Sequence, residues 1–232
     1  MILAMTTVKT TVKTTAGASH DAKPSRRERA RQSKVRILAA ARDVFAAKGY
    51  HGATMAEIAE HAGVAVQTVS YFFGTKPRML GDLIGAVVTG AINPSDEPVD
   101  PERSDWFTLS LTEPDGRLAL ARLVEGSLPV FARAAAVADV ARVAALTDPD
   151  VEMVYRRSEE HRHAQFRRIV QALRDHGTLR DDLTVDIATD ILATVFSPQT
   201  YLACSTDRGW TDAQTATWLA DALPRLLLTV DR

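Results

Sequence analysis

Residues 54–76 read TMAEIAEHAGVAVQTVSYFFGTK, two short helical periods joined by a glycine. Thr54 and Glu57 stand at the spacing of a capping box, in which the threonine oxygen accepts an early backbone N–H and the glutamate reaches back to the cap, so a helix starts here. Met55, Ile58, Ala59 and Ala62 then recur at i, i+3, i+4 and i+7, one apolar face about two turns long. Gly63 follows the last of them. Glycine takes a positive φ without steric cost, so the chain can reverse there into a second helix.

That second helix is expected over 65–72. On a wheel of about 100° per residue, Val66, Val69 and Phe73 share one side with Ser70 beside them, and Gln67, Thr68 and Tyr71 occupy the opposite arc. A helix with one apolar side on a small core and one polar side directed outward has the anatomy of a major-groove reader. Glutamine bonds adenine bidentately, threonine donates a hydrogen bond or packs its methyl on thymine, and tyrosine stacks or reaches a phosphate. Val66, Gln67, Thr68 and Tyr71 are the candidate base contacts.

Upstream lies a cationic arm. Lys23, Arg26, Arg27, Arg29, Arg31, Lys34 and Arg36 face the single anion Glu28. The whole chain is nearly neutral, at −1, but residues 23–92 carry a net +6 and residues 93–232 a net −8. A basic head on an acidic body suits a polyanion at one end only. Arg26 and Arg27 are candidate phosphate contacts.

The run 37–83, ILAAARDVFAAKGYHGATMAEIAEHAGVAVQTVSYFFGTKPRMLGDL, resembles the DNA-binding domain of the tetracycline-repressor (TetR) family of one-component transcriptional regulators. The elements that carry the resemblance are the Gly49–Tyr50 pair closing a first helix, Thr54 opening the second, the IA..AGV segment from Ile58 to Val64, and the F..K element from Phe73 to Lys76. The resemblance implies that Thr54 and Lys76, each at a helix start, hold phosphates, where the helix dipole favours anions. It has two departures. The family usually places a tyrosine near the end of the third helix; here that position is Ser70, a candidate phosphate contact, with Tyr71 next to it. Early in that helix, where a small residue is common, stands Gln67.

Composition bounds the remainder. A chain of 232 residues, 46% hydrophobic and 25% charged, supports one sizeable core and a small satellite domain. No apolar run approaches the roughly 18 residues that span a bilayer. The opening MILAM is too short for a signal sequence, and the stretch to about residue 24 lacks a helical period, so it is expected to be disordered. Cys204 is the only cysteine, which rules out an intrachain disulfide and suits a reducing cytoplasm.

Beyond the head the periodic segments are all helical. A fourth helix follows Thr75 with Leu80, Leu83, Ile84, Val87 and Val88 on one stripe. The proline- and acid-rich break NPSDEPVDP at 93–101 precedes helices expected over 104–111, 117–133, 137–146 and 150–176. Two apolar stripes close the chain. The first runs through Ile187, Ala188, Ile191, Leu192 and Val195; the second through Ala216, Leu219, Ala220, Leu223, Leu226, Leu227 and Val230, with Trp218 widening it.

The expected fold is all-α: a disordered extension over 1–24, a three-helix helix-turn-helix head over 25–74, a linking helix over 75–92, and a larger effector-binding and dimerisation body over 93–232. In the family resembled, the last two helices pair with their two-fold mates. The resemblance therefore assigns Ile187, Ile191, Val195, Trp218, Leu219, Leu223, Leu226 and Leu227 to a homodimer interface. It also implies a ligand cavity among the middle helices, for which the large residues Trp106, Phe107, Phe131, Met153, Tyr155 and Phe166 are the candidate lining. An apolar lining implies a hydrophobic effector. The function expected is a cytoplasmic, homodimeric repressor of a pseudo-palindromic double-stranded DNA operator, released by a small-molecule effector.

Two alternatives stay open at this point: a DNA-binding regulator under protein control, which a cavity-free body would favour, and a small-molecule-binding helical protein with a vestigial head. Enzyme readings find no support. The chain has no phosphate-binding glycine loop, nucleophile elbow or zinc-spaced cysteine set, and no cofactor or membrane partner is implied. Glu159 and His163 lie at i, i+4, but Arg156, Arg157 and Arg162 beside them would repel a metal, so a salt-bridged surface is expected there.

Overall fold

A computed structural model describes residues 25–229 apart from Pro94. The expectation of disorder over 1–24 falls outside the described residues, as do Lys23 of the arm and Val230 of the last stripe. Within them the protein is all-α. The elements are α1 Arg26–Gly52, α2 Met55–His61, α3 Val66–Phe73, α4 Lys76–Thr89, α5 Asp105–Thr112, α6 Gly116–Ala144, α7 Pro149–Asp175, α8 Val185–Val195, α9 Pro198–Leu202 and α10 Asp212–Leu227. A single 3-10 turn, Pro101–Arg103, precedes α5, and α9 runs on into a π-helical turn, Ala203–Asp207.

The first helix is kinked at Gly49, whose φ of 69° and ψ of 176° lie outside the helical region. The last turn, carrying Tyr50 and His51, is thereby folded back toward the body. Tyr50 is buried and stacks on Phe45 at 5.8 Å between ring centres.

Residues 117–146, expected as two helices, form the one long helix α6. The break was expected where the apolar period fades into Ala134, Ala135 and Ala136, yet alanine is the strongest helix former. Its small side chains also let neighbours come close: Ala134, Ala135, Ala141 and Ala144 are all buried. α6 is the central strut, packed against α1, α4, α5, α7, α9 and α10.

Burial divides into two clusters. One joins the head to the body without interruption, running from Ile37, Phe45, Ile58, Val69 and Phe73 through Leu80, Leu83 and Val87 of α4 to Val137, Ala141 and Ala144 of α6 and Val151 of α7. The other fills the body with Leu120, Leu123, Phe166, Ile169, Leu192, Phe196, Leu219, Leu223 and Leu227. The head thus shares one apolar core with α4, α6 and α7.

Candidate nucleic-acid interface

The local chemistry read from 54–76 is present atom by atom. Thr54 Oγ1 accepts from the Glu57 N–H at 3.1 Å, and Glu57 Oε2 accepts from the Thr54 N–H at 2.9 Å. Lys48 adds an ion pair to Glu57 at 2.5 Å. Hydrogen bonds from Lys48 first, then from the Thr54 side chain and backbone, push the Glu57 carboxyl down to about 2. At the end of α2, Gly63 takes φ 64°. Its N–H donates to the Glu60 carbonyl at 3.0 Å, and the Val64 N–H donates to the Ala59 carbonyl at 3.0 Å. This pair of bonds is a Schellman turn and sets the angle at which α3 departs.

On α3, Val69 and Phe73 are completely buried, while Gln67, Ser70 and Tyr71 are exposed and Thr68 is half-buried. Tyr71 is 84% exposed, an unusual position for an aromatic ring on a monomer's surface. Val66 separates from Val69 and Phe73: it is the first residue of the helix and stands in solvent beside Gln67. Ala65 at the N-cap supplies no side-chain hydrogen bond, so the positive end of α3 is left open to an anion.

The candidate phosphate contacts fall into two groups. Arg26, Arg27 and Ser70 are exposed. Thr54 is exposed as well, but its hydroxyl also donates to Glu57 Oε2 at 2.9 Å, so the capping box already employs it. Lys76 departs from expectation. Its Nζ turns inward and donates to the carbonyls of Tyr50 at 2.8 Å and Ala53 at 3.0 Å, and it sits over the Tyr50 ring at 4.2 Å. Burial pushes its ammonium below the usual lysine range, partly offset by Asp148. The carbonyls at the kinked C-terminal end of α1 need a donor, and Lys76 supplies it. Lys34 of the arm is likewise engaged, with Asp82 of α4 at 2.8 Å.

The head is fastened to the body at the α6–α7 turn. His51 Nε2 lies 3.0 Å from Thr147 Oγ1, and the Tyr50 hydroxyl, pushed above the usual phenol range by burial and then by Asp148, faces that N-cap residue of α7. The far end of α4 is held by α6: Arg133 donates through Nε to the Val87 carbonyl and through Nη2 to that of Val88, each at 3.2 Å. α4 is therefore pinned to the head at one end and to the body at the other.

Between α4, α5, α6 and α7 lies a cavity of about 110 Å³. Of the six candidate lining residues it gathers three, Trp106, Phe131 and Phe166. Phe107 is buried against Trp106 on the side away from the cavity, within the body cluster. Tyr155 packs against the cluster shared with the head, and Met153 is 65% exposed. Size and aromaticity chose these six, and neither reports the direction a side chain takes from its helix. Sequence reading passed over Ser127, Val130, Glu159 and Arg162, which also line the cavity. Glu159 and Arg162 form a bidentate pair, and Arg162 Nη1 donates to the Ala193 and Phe196 carbonyls at 3.0 and 3.2 Å. The i, i+3 spacing of this pair on α7 is the signal that was available. His163 bonds Asp190 at 2.9 Å instead of joining Glu159, and no group of three or more metal-ligating side chains occurs among the described residues.

The two C-terminal stripes divide between core and surface. Leu219, Leu223 and Leu227 are buried inside the monomer, so they are not available to a partner. Spaced at i, i+4 and i+8, they form the arc of α10 that faces the body cluster. Ile187, Trp218 and Leu226 are exposed, and Ile191 and Val195 are half-buried. Trp210 meets Trp218 edge-on at 6.0 Å. Among the described residues no helix is long and apolar enough to cross a membrane.

Comparison with known proteins agrees with this geometry. Residues 37–83 match the family model for bacterial regulatory proteins of the tetR family. No curated protein matches the chain significantly. Among solved structures, NalD of Pseudomonas aeruginosa, the secondary repressor of the MexAB-OprM multidrug efflux pump, superposes with a TM-score of 0.65 at 18% identity, over 87% of this chain and 98% of that one. A transcriptional regulator of Saccharomonospora viridis in complex with choline gives 0.64 at 20% identity, over 85% and 98%. A TetR-family regulator of Mesorhizobium loti gives 0.60 at 19%, over 87% and 99%. At these identities the structural likeness establishes the fold, and the family model establishes the head. Residues 37–83 thus carry the DNA-binding head of the bacterial tetR-family regulatory proteins, and the chain shares its all-helical fold with TetR-family structures.

Proposed function

We propose that the protein is a homodimeric repressor that binds a pseudo-palindromic operator and is released by a small effector entering the cavity of the body. The observation that carries this reading is the two-sidedness of α3: Val69 and Phe73 are completely buried while Gln67, Ser70 and Tyr71 are exposed. A helix so anchored offers the major groove a rigid polar edge. Gln67, Thr68 and Tyr71, with Val66, contact bases. Ser70, Arg26, Arg27 and the open N-terminus of α3 hold the backbone, and Thr54 adds its exposed cap.

In this reading 25–74 is the DNA-binding unit, 75–92 the link, and 93–232 the effector and dimer unit. Ile187, Ile191, Val195, Trp218 and Leu226 form the interface, in which the exposed apolar side chains of Ile187, Trp218 and Leu226 call for a partner. A two-fold protein reads half-sites separated by about one helical turn or a multiple of it. Control follows from the position of α4. Ile84 and Val88 are cavity walls, and the same helix begins at Lys76, which clamps the end of α1. An effector that fits only one placement of α4 shifts the population of head orientations by the difference of its affinities for the two states.

Control by a protein alone is less well supported, because the body contains an aromatic-lined cavity. The repressor activity of NalD and the choline bound to the Saccharomonospora viridis protein are properties of those proteins; they agree with repression and effector binding here. The site of action is the cytoplasm, where the DNA of a bacterial regulator lies. Selection of bound fragments from genomic DNA tests the proposal. Enrichment of a two-fold-symmetric motif is expected, and enrichment of single asymmetric sites would remove the dimer from it.

A further inference from the structure

We infer that the cavity takes a neutral, single-ring aromatic molecule with one hydroxyl, of the phenol class, its ring among Trp106, Phe131 and Phe166 and its oxygen on Ser127. The inference rests on the regulator reading only in taking this cavity as the effector site.

Size comes first. A dry apolar cavity of about 150 Å³ admits benzene, so about 110 Å³ makes a single six-membered ring, seated partly in the mouth, the upper limit and excludes any fused or extended system. Shape is set by aromatic packing. Phe196 is buried behind the wall, meeting Phe131 edge-on at 4.7 Å and stacking on Phe166 at 5.9 Å with 7° between planes. Trp106 is wedged onto α6 so closely that a Cβ on Gly126 would fall 2.1 Å from the indole. Rings so supported cannot collapse into the space, and they present faces and edges suited to an aromatic guest.

Charge excludes the ionic classes. Glu159 and Arg162 are the charged pair at the wall. They neutralise each other through two hydrogen bonds, and Arg162 Nη1 donates to the two carbonyls closing α8. Arg162 is only 17% exposed along its side chain. An anionic guest would have to break this pair, and a cation would compete with a guanidinium already in place, each at the cost of a buried unpaired charge.

Of the two lining hydroxyls that bond none of the other described residues, Ser127 and Ser158, only Ser127 lies away from the outer groove. Ser127 is 6% exposed, lines the interior cavity but not the outer groove that shares Ser158, His161 and Gln165 with it, and its hydroxyl bonds none of the other described residues. A hydroxyl that faces the cavity without a protein partner favours a guest that supplies one. It both donates and accepts, which matches a phenol hydroxyl.

The test is calorimetric titration of the full-length, DNA-free protein with phenol, toluene, benzoate and benzylammonium. Phenol is expected to bind about tenfold more tightly than toluene, a single net hydrogen bond, and the two ions at least tenfold more weakly than phenol. Ser127→Ala should erase the preference for phenol over toluene while toluene binding persists. Ala138→Phe, which fills the cavity from a half-buried wall position, should abolish both. Equal or tighter binding of either ion, or toluene equal to phenol on the unaltered protein, overturns the inference, and the wild-type comparison stands even where a variant fails to fold. Because no DNA is present, failure here leaves the regulator reading intact; that reading fails instead if the protein selects no DNA motif, whatever it binds in the cavity.

Discussion

Lys76 Nζ lies 2.8 Å from the carbonyl oxygen of Tyr50 and 4.2 Å from the centre of the same residue's ring. One ammonium thus closes the kinked end of α1 and starts α4, the helix that forms a wall of the body's cavity. The consequence is testable through salt. A lysine on a phosphate contributes about 0.9 to the slope of log K against log salt. An internally bonded Lys76 contributes little. Lys76→Ala is expected to lower the melting temperature, by loss of about 1–3 kcal/mol from stranded carbonyls, while the salt slope changes by much less than one unit. A slope reduced by a full unit with unaltered melting would return Lys76 to the phosphates.

Glu57 makes the head sensitive to acid. Its carboxyl is pushed down to about 2 by Lys48 and Thr54, from an ordinary 4.5. A depressed carboxyl stabilises the folded state fully above the unfolded value, and that contribution is lost as pH falls from about 4.5 toward 2. Glu57→Gln keeps a capping amide but loses the charge. Thermal melts of the two proteins should differ at pH 6 and converge near pH 2. A difference that is constant over this range would mean that the charge does not matter.

Glu102 fastens the short turn before α5 across the cavity mouth. It accepts from Gln165 at 3.1 Å and Arg168 at 2.5 Å and lies 3.4 Å from His161, three residues on one face of α7. Pro101, His161 and Gln165 are cavity walls. Glu102→Ala is expected to raise amide hydrogen exchange in 101–106 severalfold and leave that of α1–α3 unchanged. Unchanged protection of 101–106 would show the turn to be held by packing alone.

Much of this architecture was legible in the sequence. Capping boxes and glycine turns act within four residues, so the Thr54–Glu57 cap and the Gly63 reversal could be read from spacing alone. The joining of 117–146 into α6 could not, because an alanine run erases the apolar period that marks a helix face without weakening the helix. The inward turn of Lys76 depends on carbonyls 23 and 26 residues away, and such pairings leave no trace in local pattern. The same is true of the cavity. Trp106, Phe131 and Phe166 converge while Met153 points to solvent, a difference of helix rotation that residue type does not encode.

The C-terminal helix separates stability from assembly. Leu223→Ala removes a completely buried side chain and should cost about 2–5 kcal/mol of fold stability. Trp218→Glu places a charge on the exposed row. It should convert dimer to monomer in sedimentation velocity with the far-ultraviolet helical signal preserved. A dimer that survives Trp218→Glu would move the interface off the α8 and α10 surface.

Motif selection with purified protein and a variant carrying Gln67→Ala and Tyr71→Ala together tests the outward face of α3 most directly. Both side chains are exposed, so folding should be unaffected to within about 0.5 kcal/mol. Wild-type protein is expected to enrich one symmetric motif, and the variant to lose discrimination of about 1–3 kcal/mol per altered base contact at paired positions in the two half-sites. The same motif enriched with the same base preferences by both proteins would contradict the assignment of α3 as the reader.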